Sequence, residues 1–230
     1  MADRFFCDDL TSDKPCLSGT EAHHAVHVLR LKCGQSIQLF DGVGTVAEAV
    51  IEDIQRARVI ARATATSFIQ KDTQNSLTVA AVPPKGDRLK WMVEKLTELG
   101  VDTYVPLLTE RSVVDPRKSK LDKLATTVTA AMKQSGRRWR MEIGEPQTLP
   151  LLLQHCKDSD DTILLAHPGN ATEPTEAEAG GRTLLIGPEG GFTESEVQLA
   201  ADHNARQIAW PDSILRIETA AIAFAARLLR

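Results

Sequence analysis

Apolar and polar positions alternate differently in the two parts of the chain. Residues 36–40 and 45–51 are short apolar-rich runs separated by Asp41-Gly42-Val43-Gly44, a composition suited to a hairpin turn. Residues 58–66 alternate, with Val59, Ala61, Ala63 and Ala65 on one face. With a short helix expected over residues 21–29, this part predicts a small barrel-like domain over residues 1–70. A polar linker around residues 71–76 follows, and from residue 77 strands alternate with helices. Leu77 opens an apolar run that ends at Pro83-Pro84. Asp87 is placed to cap a helix with Leu89, Met92, Val93 and Leu96 on one stripe, closed by Gly100. Residues 104–108 return as a strand. Ser119 starts a second helix that buries Leu121, Leu124, Ala125, Val128 and Met132. Residues 162–166 and 183–186 are further buried strands, joined by a surface loop over residues 168–181. The last helix, from Ala220, is apolar on nearly every side, which predicts burial, in part against another subunit. Strands alternating with helices predict an α/β domain over residues 77–230, built on a largely parallel sheet.

Composition narrows the class. The chain has 230 residues, 42% hydrophobic and 25% charged, enough to bury a core in each domain. It begins MADRFFCDDL, which shows no basic stretch followed by an apolar run, so no signal peptide is expected. No run approaches the roughly 20 apolar residues that span a bilayer. The four cysteines (Cys7, Cys16, Cys33, Cys156) form no CxxC pair, as expected of reduced thiols in a cytoplasmic protein. His23 and His27 are four apart on the early helix, but no third ligand of fitting spacing follows, so no metal site is expected.

The net charge of −4 conceals an uneven distribution. Residues 111–140 hold nine basic residues against two acidic ones, whereas residues 141–230 hold six against fourteen. A local cationic face can hold phosphates on an acidic protein, because screening confines the field to about 10 Å. A solvated helix face would look the same on charge alone.

The strongest motif is Gly187-Pro188-Glu189-Gly190-Gly191-Phe192, which follows a strand and precedes a helix. Thr193 and Glu196 fit a capping box that fixes the helix start. Three glycines within five residues let backbone approach a ligand at the carboxyl end of a parallel sheet. The spacing is neither GxxxxGK[ST] nor GxGxxG, which disfavours a phosphate cradle. A second segment, Ile214-Leu215-Arg216-Ile217-Glu218-Thr219-Ala220, opens the last helix. Taken alone, its charges also fit a structural role at an element end.

Together these two segments resemble those of the ribosomal RNA small subunit methyltransferase E family, of the SPOUT superfamily. The resemblance extends over most of the chain. It includes Arg4-Phe5-Phe6, His27-Val28-Leu29-Arg30-Leu31, Lys85-Gly86-Asp87-Arg88, Glu98-Leu99-Gly100-Val101, Glu110-Arg111 and Gln134-Ser135-Gly136-Arg137. Two departures stand out: Lys133, where the family usually has an acidic residue, and Trp210-Pro211-Asp212-Ser213, where it has a glycine-containing turn.

The resemblance implies an N-terminal PUA-like β-barrel, a SPOUT domain with a C-terminal trefoil knot, a homodimer, and no membrane or metal partner. It implies transfer of a methyl group from S-adenosylmethionine to uridine N3 in 16S rRNA of the small ribosomal subunit. Cofactor contacts are expected from Leu165, Ala166, His167, Ile186, Gly187, Pro188, Glu189, Gly190, Gly191, Ile214, Leu215, Arg216 and Thr219. RNA contacts are expected from Arg4, Arg30, Lys85, Arg88, Arg111, Gln134, Arg137 and Arg138. Arg216 and Arg137 are the candidates to stabilise a uracil anion, and Glu218 to accept the proton or to hold a cation. The alternatives are a SPOUT enzyme that methylates a ribose 2′-hydroxyl, or a ribosome-assembly protein that binds RNA without catalysis.

Overall fold

The computed structural model describes residues 3–115, 122–159, 161–168, 180–211 and 213–229. The predicted helix start at Ser119, with Leu121, lies outside the described residues, as does most of the 168–181 loop. The chain forms two compact units, one of Met1–Lys71 with Met132–Arg140, the other of Asp72–Ala131 with Met141–Arg230. Residues 132–140 thus pack with the first unit, an excursion that a single linker at 71–76 does not include.

The first unit is a five-stranded sheet of β1 (Asp3–Phe6), β2 (Cys16–Ser18), β3 (Ser36–Phe40), β4 (Thr45–Gln55) and β5 (Arg58–Phe68), in the order β1-β3-β4-β5-β2. Only β1 with β3 is parallel. Register shifts at Glu48/Ala49 and Ile51/Asp53 let the long β4–β5 ribbon bend, so the sheet curls into a half-barrel with β1 and β2 as its edges. Helix α1 (Gly19–His23) and a π-type turn over His24–Val28 follow β2. Phe5, Leu17, Ile37, Leu39, Ile51 and Val59 form the core. The predicted face of β5 fades outward, from buried Val59 and Ala61 to half-buried Ala63 and exposed Ala65.

Residues 132–140 are tied into this unit by charge. Lys133 Nζ lies 2.8 Å from Glu21 Oε2, and Glu21 also accepts from the Phe6 amide at 3.1 Å. Arg4 donates to the carbonyls of Met132 (2.9 Å) and Arg137 (2.6 Å), with its guanidinium over the Phe40 ring. Burial, helped by the field of Arg138, pulls the Arg4 pKa down. Arg4, expected as an RNA contact, braces its own unit, with both terminal nitrogens engaged by backbone.

The second unit is a parallel sheet of β6 (Leu77–Ala81), β7 (Thr103–Leu108), β8 (Glu142–Ile143), β9 (Gln147–Thr148), β10 (Thr162–Ala166), β11 (Arg182–Ile186) and β12 (Arg206–Ile208). Its order is β12-β10-β11-β6-β7-β8, with β9 beside β7, and every pair is parallel. The helices are α2 (Asp87–Leu99), α3 (Asp122–Ser135, whose last turn belongs to the first unit), α4 (Leu149–Ser159), α5 (Glu194–Asp202) and α6 (Ile217–Leu228). Gly100 closes α2 in the left-handed conformation (φ 116°), as expected. Gly86, not Asp87, is its N-cap; Asp87 is the first helical residue, where its charge still favours the helix dipole. Apolar α6 packs against α2, β6 and β11.

All four cysteines are free, with Cys7 and Cys156 buried and Cys16 and Cys33 exposed. Burial pushes the Cys7 and Cys156 thiols up, so the reactive thiolate is scarcer there than at an ordinary cysteine. Alkylation at pH 8 is expected to label Cys16 and Cys33 first. Cys7 and Cys156 should follow only on unfolding, and peptide mapping over time reads the order. Early labelling of Cys156 would contradict this packing.

Candidate active site

Strands β10 and β11 end side by side, Ala166 opposite Ile186, and β12 ends level with them, Ile208 opposite Ala166. Three chain segments leave this edge and enclose a cavity of about 490 Å³: residues 166–168, the glycine loop 186–192, and residues 208–210 with 213–217. Ala220 and Phe224 of α6 line its apolar side, and Trp210 meets Phe224 edge to face at 5.8 Å.

The glycine loop is held from several directions. The Gly191 amide donates to Pro188 O at 2.9 Å, and this turn needs the positive φ (68°) of Gly191. Thr193 and Glu196 form the expected capping box on α5. Buried Glu196 also reaches beyond its own helix: Oε1 accepts from the Glu110 amide and Oε2 from the Thr193 amide, both at 2.9 Å. Arg111, on the same turn as Glu110, donates to the Gly190 carbonyl at 2.8 Å. Replacing Glu196 by alanine keeps the Thr193 N-cap but removes the reciprocal half of the box, leaving the Thr193 and Glu110 amides unpaired, at a cost of about 2–4 kcal/mol. A fall in Tm of about 5–10 °C by scanning calorimetry is expected, since each kcal/mol moves a domain of this size by about 2–4 °C. An unchanged Tm would show that the tether carries no stability.

The expected cofactor residues meet here with two exceptions. Ala166, His167, Ile186 to Gly191 and Ile214 to Arg216 all line the cavity, whereas Leu165 and Thr219 do not. Leu165 is one residue short of the strand end, and its side chain is buried in the core. Thr219 is exposed on the first turn of α6, while Ile217 and Ala220 face the cavity. Phe192, Ile208, Ala209, Trp210 and Phe224 line it without having been anticipated. Arg111, expected on RNA, is a clamp on the loop and also lines the cavity.

The charges divide into a rim and a support. Arg216 is the N-cap of α6, exposed and on the cavity. Glu218 is buried, does not line the cavity, and holds Arg88, whose Nη1 lies 3.5 Å from Glu218 Oε1 and Nη2 3.9 Å from Glu189 Oε1. Glu218, expected to accept the proton or to hold a cation, has Arg88 as its cationic neighbour. Its Oε2 is buried without a hydrogen-bond partner among the described residues, as is Nδ1 of His167 on the cavity wall. Of the other expected RNA contacts, Lys85 is exposed in this unit; Arg30, Gln134, Arg137 and Arg138 belong to the first, with Arg30 and Gln134 exposed. Arg137 Nε donates to the Trp139 carbonyl at 3.0 Å. Among the described residues, no group of three His, Cys, Asp or Glu could hold a metal ion.

A family described as the RNA methyltransferase domain matches residues 71–229, and one described as the RNA methyltransferase PUA domain matches residues 17–63. The chain belongs to this RNA methyltransferase family. Within the family it is similar to ribosomal RNA small subunit methyltransferase E of Bacillus subtilis, 29% identical over 233 residues that cover 93% of this chain and 91% of that protein. The protein of that name from Synechocystis is 29% identical over 215 residues, 89% of this chain and 69% of its own length. The crystal structure of a ribosomal RNA small subunit methyltransferase E from Neisseria gonorrhoeae bound to S-adenosyl methionine aligns with a TM-score of 0.89 at 26% identity. It covers 99% of this chain and 97% of that one. The resemblance stated from the motifs is thereby borne out.

Proposed function

We propose that this protein transfers the methyl group of S-adenosylmethionine to N3 of a uridine in 16S rRNA of the small ribosomal subunit. The observation that carries the reading is the cavity at the ends of β10, β11 and β12, in a chain that aligns almost end to end with a relative crystallised with that molecule. The residues present fit it. Apolar Ile186, Ile208, Trp210 and Phe224 suit an adenine ring, the loop backbone suits the polar ribose and amino-acid groups, and His167 Nδ1, without a partner among the described residues, offers one further contact. Bound there, the cofactor supplies a methyl group already activated by its sulfonium charge.

The chain's own part is to make a poor nucleophile available. Uridine N3 carries its proton at neutral pH, so attack would require that proton to pass to solvent water as the N3–methyl bond forms and the sulfur–methyl bond breaks, leaving a neutral thioether. Arg216, fixed at the rim by the start of α6, places a cation where a uracil carbonyl oxygen gains charge. Glu218 acts by holding Arg88 beside Glu189 of the cofactor loop. Lys85 and the cationic residues of the first unit would hold the RNA backbone, which positions the substrate without specifying it.

A homodimer, the trefoil knot and a cytoplasmic location belong to the same reading. Support for the dimer comes from the half-buried Ile222, Ala223 and Ala226 of α6 and from Trp91, 46% exposed on α2, the helix α6 packs against. Support for the knot comes from the three segments that converge on one cavity.

The test is transfer of labelled methyl from S-adenosylmethionine to small ribosomal subunits that lack the modification, with digestion to nucleosides. Labelled N3-methyluridine is the expected product. Label on a ribose would keep the fold and cofactor but move the target, and cofactor binding without transfer to any subunit preparation would favour a non-catalytic RNA binder.

A further inference from the structure

The first unit carries an aromatic surface that methyl transfer does not use. Phe68 ends β5 with 62% of its surface exposed, beside Ile69 at 50% and Val43 at 57%. Its ring meets Trp139 edge to face, centroids 6.2 Å apart. Trp139 is held through both its ring and its backbone. Its indole N–H donates to Ile69 O at 3.1 Å, and its backbone bridges to Val43. The ring lies so close over Gly44 that a Cβ there would come within 2.6 Å of it. The Gly44 amide in turn donates to Arg138 O, and the Ile69 amide to Gly44 O. Three separate stretches of chain therefore hold one rigid aromatic surface.

Cations border it. Arg138 donates to Ser67 Oγ at 3.2 Å, one residue before Phe68, and exposed Arg140 stacks its guanidinium on Phe6 at 4.6 Å. The carboxylate of the adjoining turn, Asp41, accepts from its own Val43 and Thr45 amides. A preorganised aromatic face between arginines is complementary to a single-stranded nucleic acid, whose bases stack and whose phosphates pair with guanidinium groups.

We propose that Phe68, backed by Trp139, is a stacking platform for an unpaired base of the RNA, with Arg138 and Arg140 on the flanking phosphates. The inference rests on the reading of RNA as substrate. It adds a site that recognises single-stranded RNA away from the reacting base.

The test measures binding of a fluorescein-labelled oligouridylate of roughly ten nucleotides by anisotropy, alone and annealed to its complement. Phe68→Ala is expected to weaken single-strand binding about five- to 150-fold, the range for loss of one base–aromatic stack. Phe68→Trp should restore it, the annealed duplex should gain nothing from Phe68, and S-adenosylmethionine affinity should be unchanged throughout. An oligonucleotide with 5-iodouridine should photo-crosslink to the peptides holding Phe68 or Trp139. Unchanged binding by Phe68→Ala, equal loss for single strand and duplex, or crosslinks confined to other peptides would each overturn the platform. So would a loss seen only with intact subunits, which would assign the surface to a ribosomal protein. Wild type that methylates subunits but binds no oligouridylate sinks the platform and leaves the function. Platform binding with no methylation of any RNA does the reverse.

Discussion

Arg216→Ala is expected to lower kcat for methyl transfer by about 10²–10³-fold, the usual loss when one preorganised electrostatic contact to a developing anion is removed. The ground state of uridine has little charge on its carbonyl oxygens, so the contact strengthens only as N3 loses its proton. The effect should therefore fall on kcat and not on cofactor affinity, because the apolar walls of the cavity come from Ile186, Ile208, Trp210 and Phe224. Arg216→Lys should recover part of the rate, since it keeps the charge but loses the planar fork. Single-turnover transfer to small subunits, with S-adenosylmethionine affinity measured by calorimetry, separates the two effects. A fall in cofactor affinity large enough to account for the lost rate would reassign Arg216 to holding the cofactor. Glu218→Gln offers a contrast. It removes the charge that holds Arg88 but leaves the cavity wall intact, so its effect should be smaller and should disappear in an Arg88→Ala background.

What could be seen in the sequence depended on segment length and on how local the determinants were. The β6–α2–β7 unit was clear because Leu77, Pro83-Pro84 and Gly100 mark its ends, and the stripe of Met92, Val93 and Leu96 repeats at helical spacing. Strands β8, β9 and β12 have two or three residues and show no period at all. Helix α4 escaped because Pro150 sits in its first turn, where a missing N–H costs nothing but the sequence looks like a loop. The packing of residues 132–140 with the first unit follows from Lys133 meeting Glu21 and Arg4 meeting two distant carbonyls, pairings made across more than 100 residues. Lys133, a departure from the family pattern, has a partner of opposite charge to explain it.

The site divides in the same way. Its glycine loop was legible because Gly191 and the Thr193–Glu196 box answer local demands of backbone geometry. The walls were not: Ile208 reaches the cavity only through parallel pairing of β12 with β10, and Phe224 only because α6 folds back on the sheet. The clamp that Arg111 makes was not legible, for a physical reason. A basic residue in a basic stretch suggests phosphate, yet here its partner is a carbonyl of the loop, a contact that charge patterning does not reveal.

Gly187→Ala should weaken S-adenosylmethionine binding by about 10–100-fold, with little change in the secondary structure of the unit. A Cβ at this position would lie 2.9 Å from the ring of Phe192, closer than such atoms approach. Phe192 is only 4% exposed and is itself part of the cavity wall, so the ring can relieve the clash only by moving into the cofactor's space or by shifting the loop. Overpacking of this kind costs about 1–3 kcal/mol, and 1.4 kcal/mol is tenfold in affinity. The neighbouring glycines separate this cause from others. At Gly190 the added atom meets Arg111 at an ordinary 3.5 Å, so Gly190→Ala should bind nearly as wild type. At Gly191 there is open space but a φ of 68°, so Gly191→Ala should act through backbone strain and lower Tm as well as affinity. The second substitution Phe192→Leu, in the Gly187→Ala background, makes room for the methyl group and should restore part of the binding. Calorimetric titration of the four variants decides the matter. Equal affinities for Gly187→Ala and wild type would mean that the Phe192 ring yields freely, and the close contact would then have no part in shaping the cofactor site.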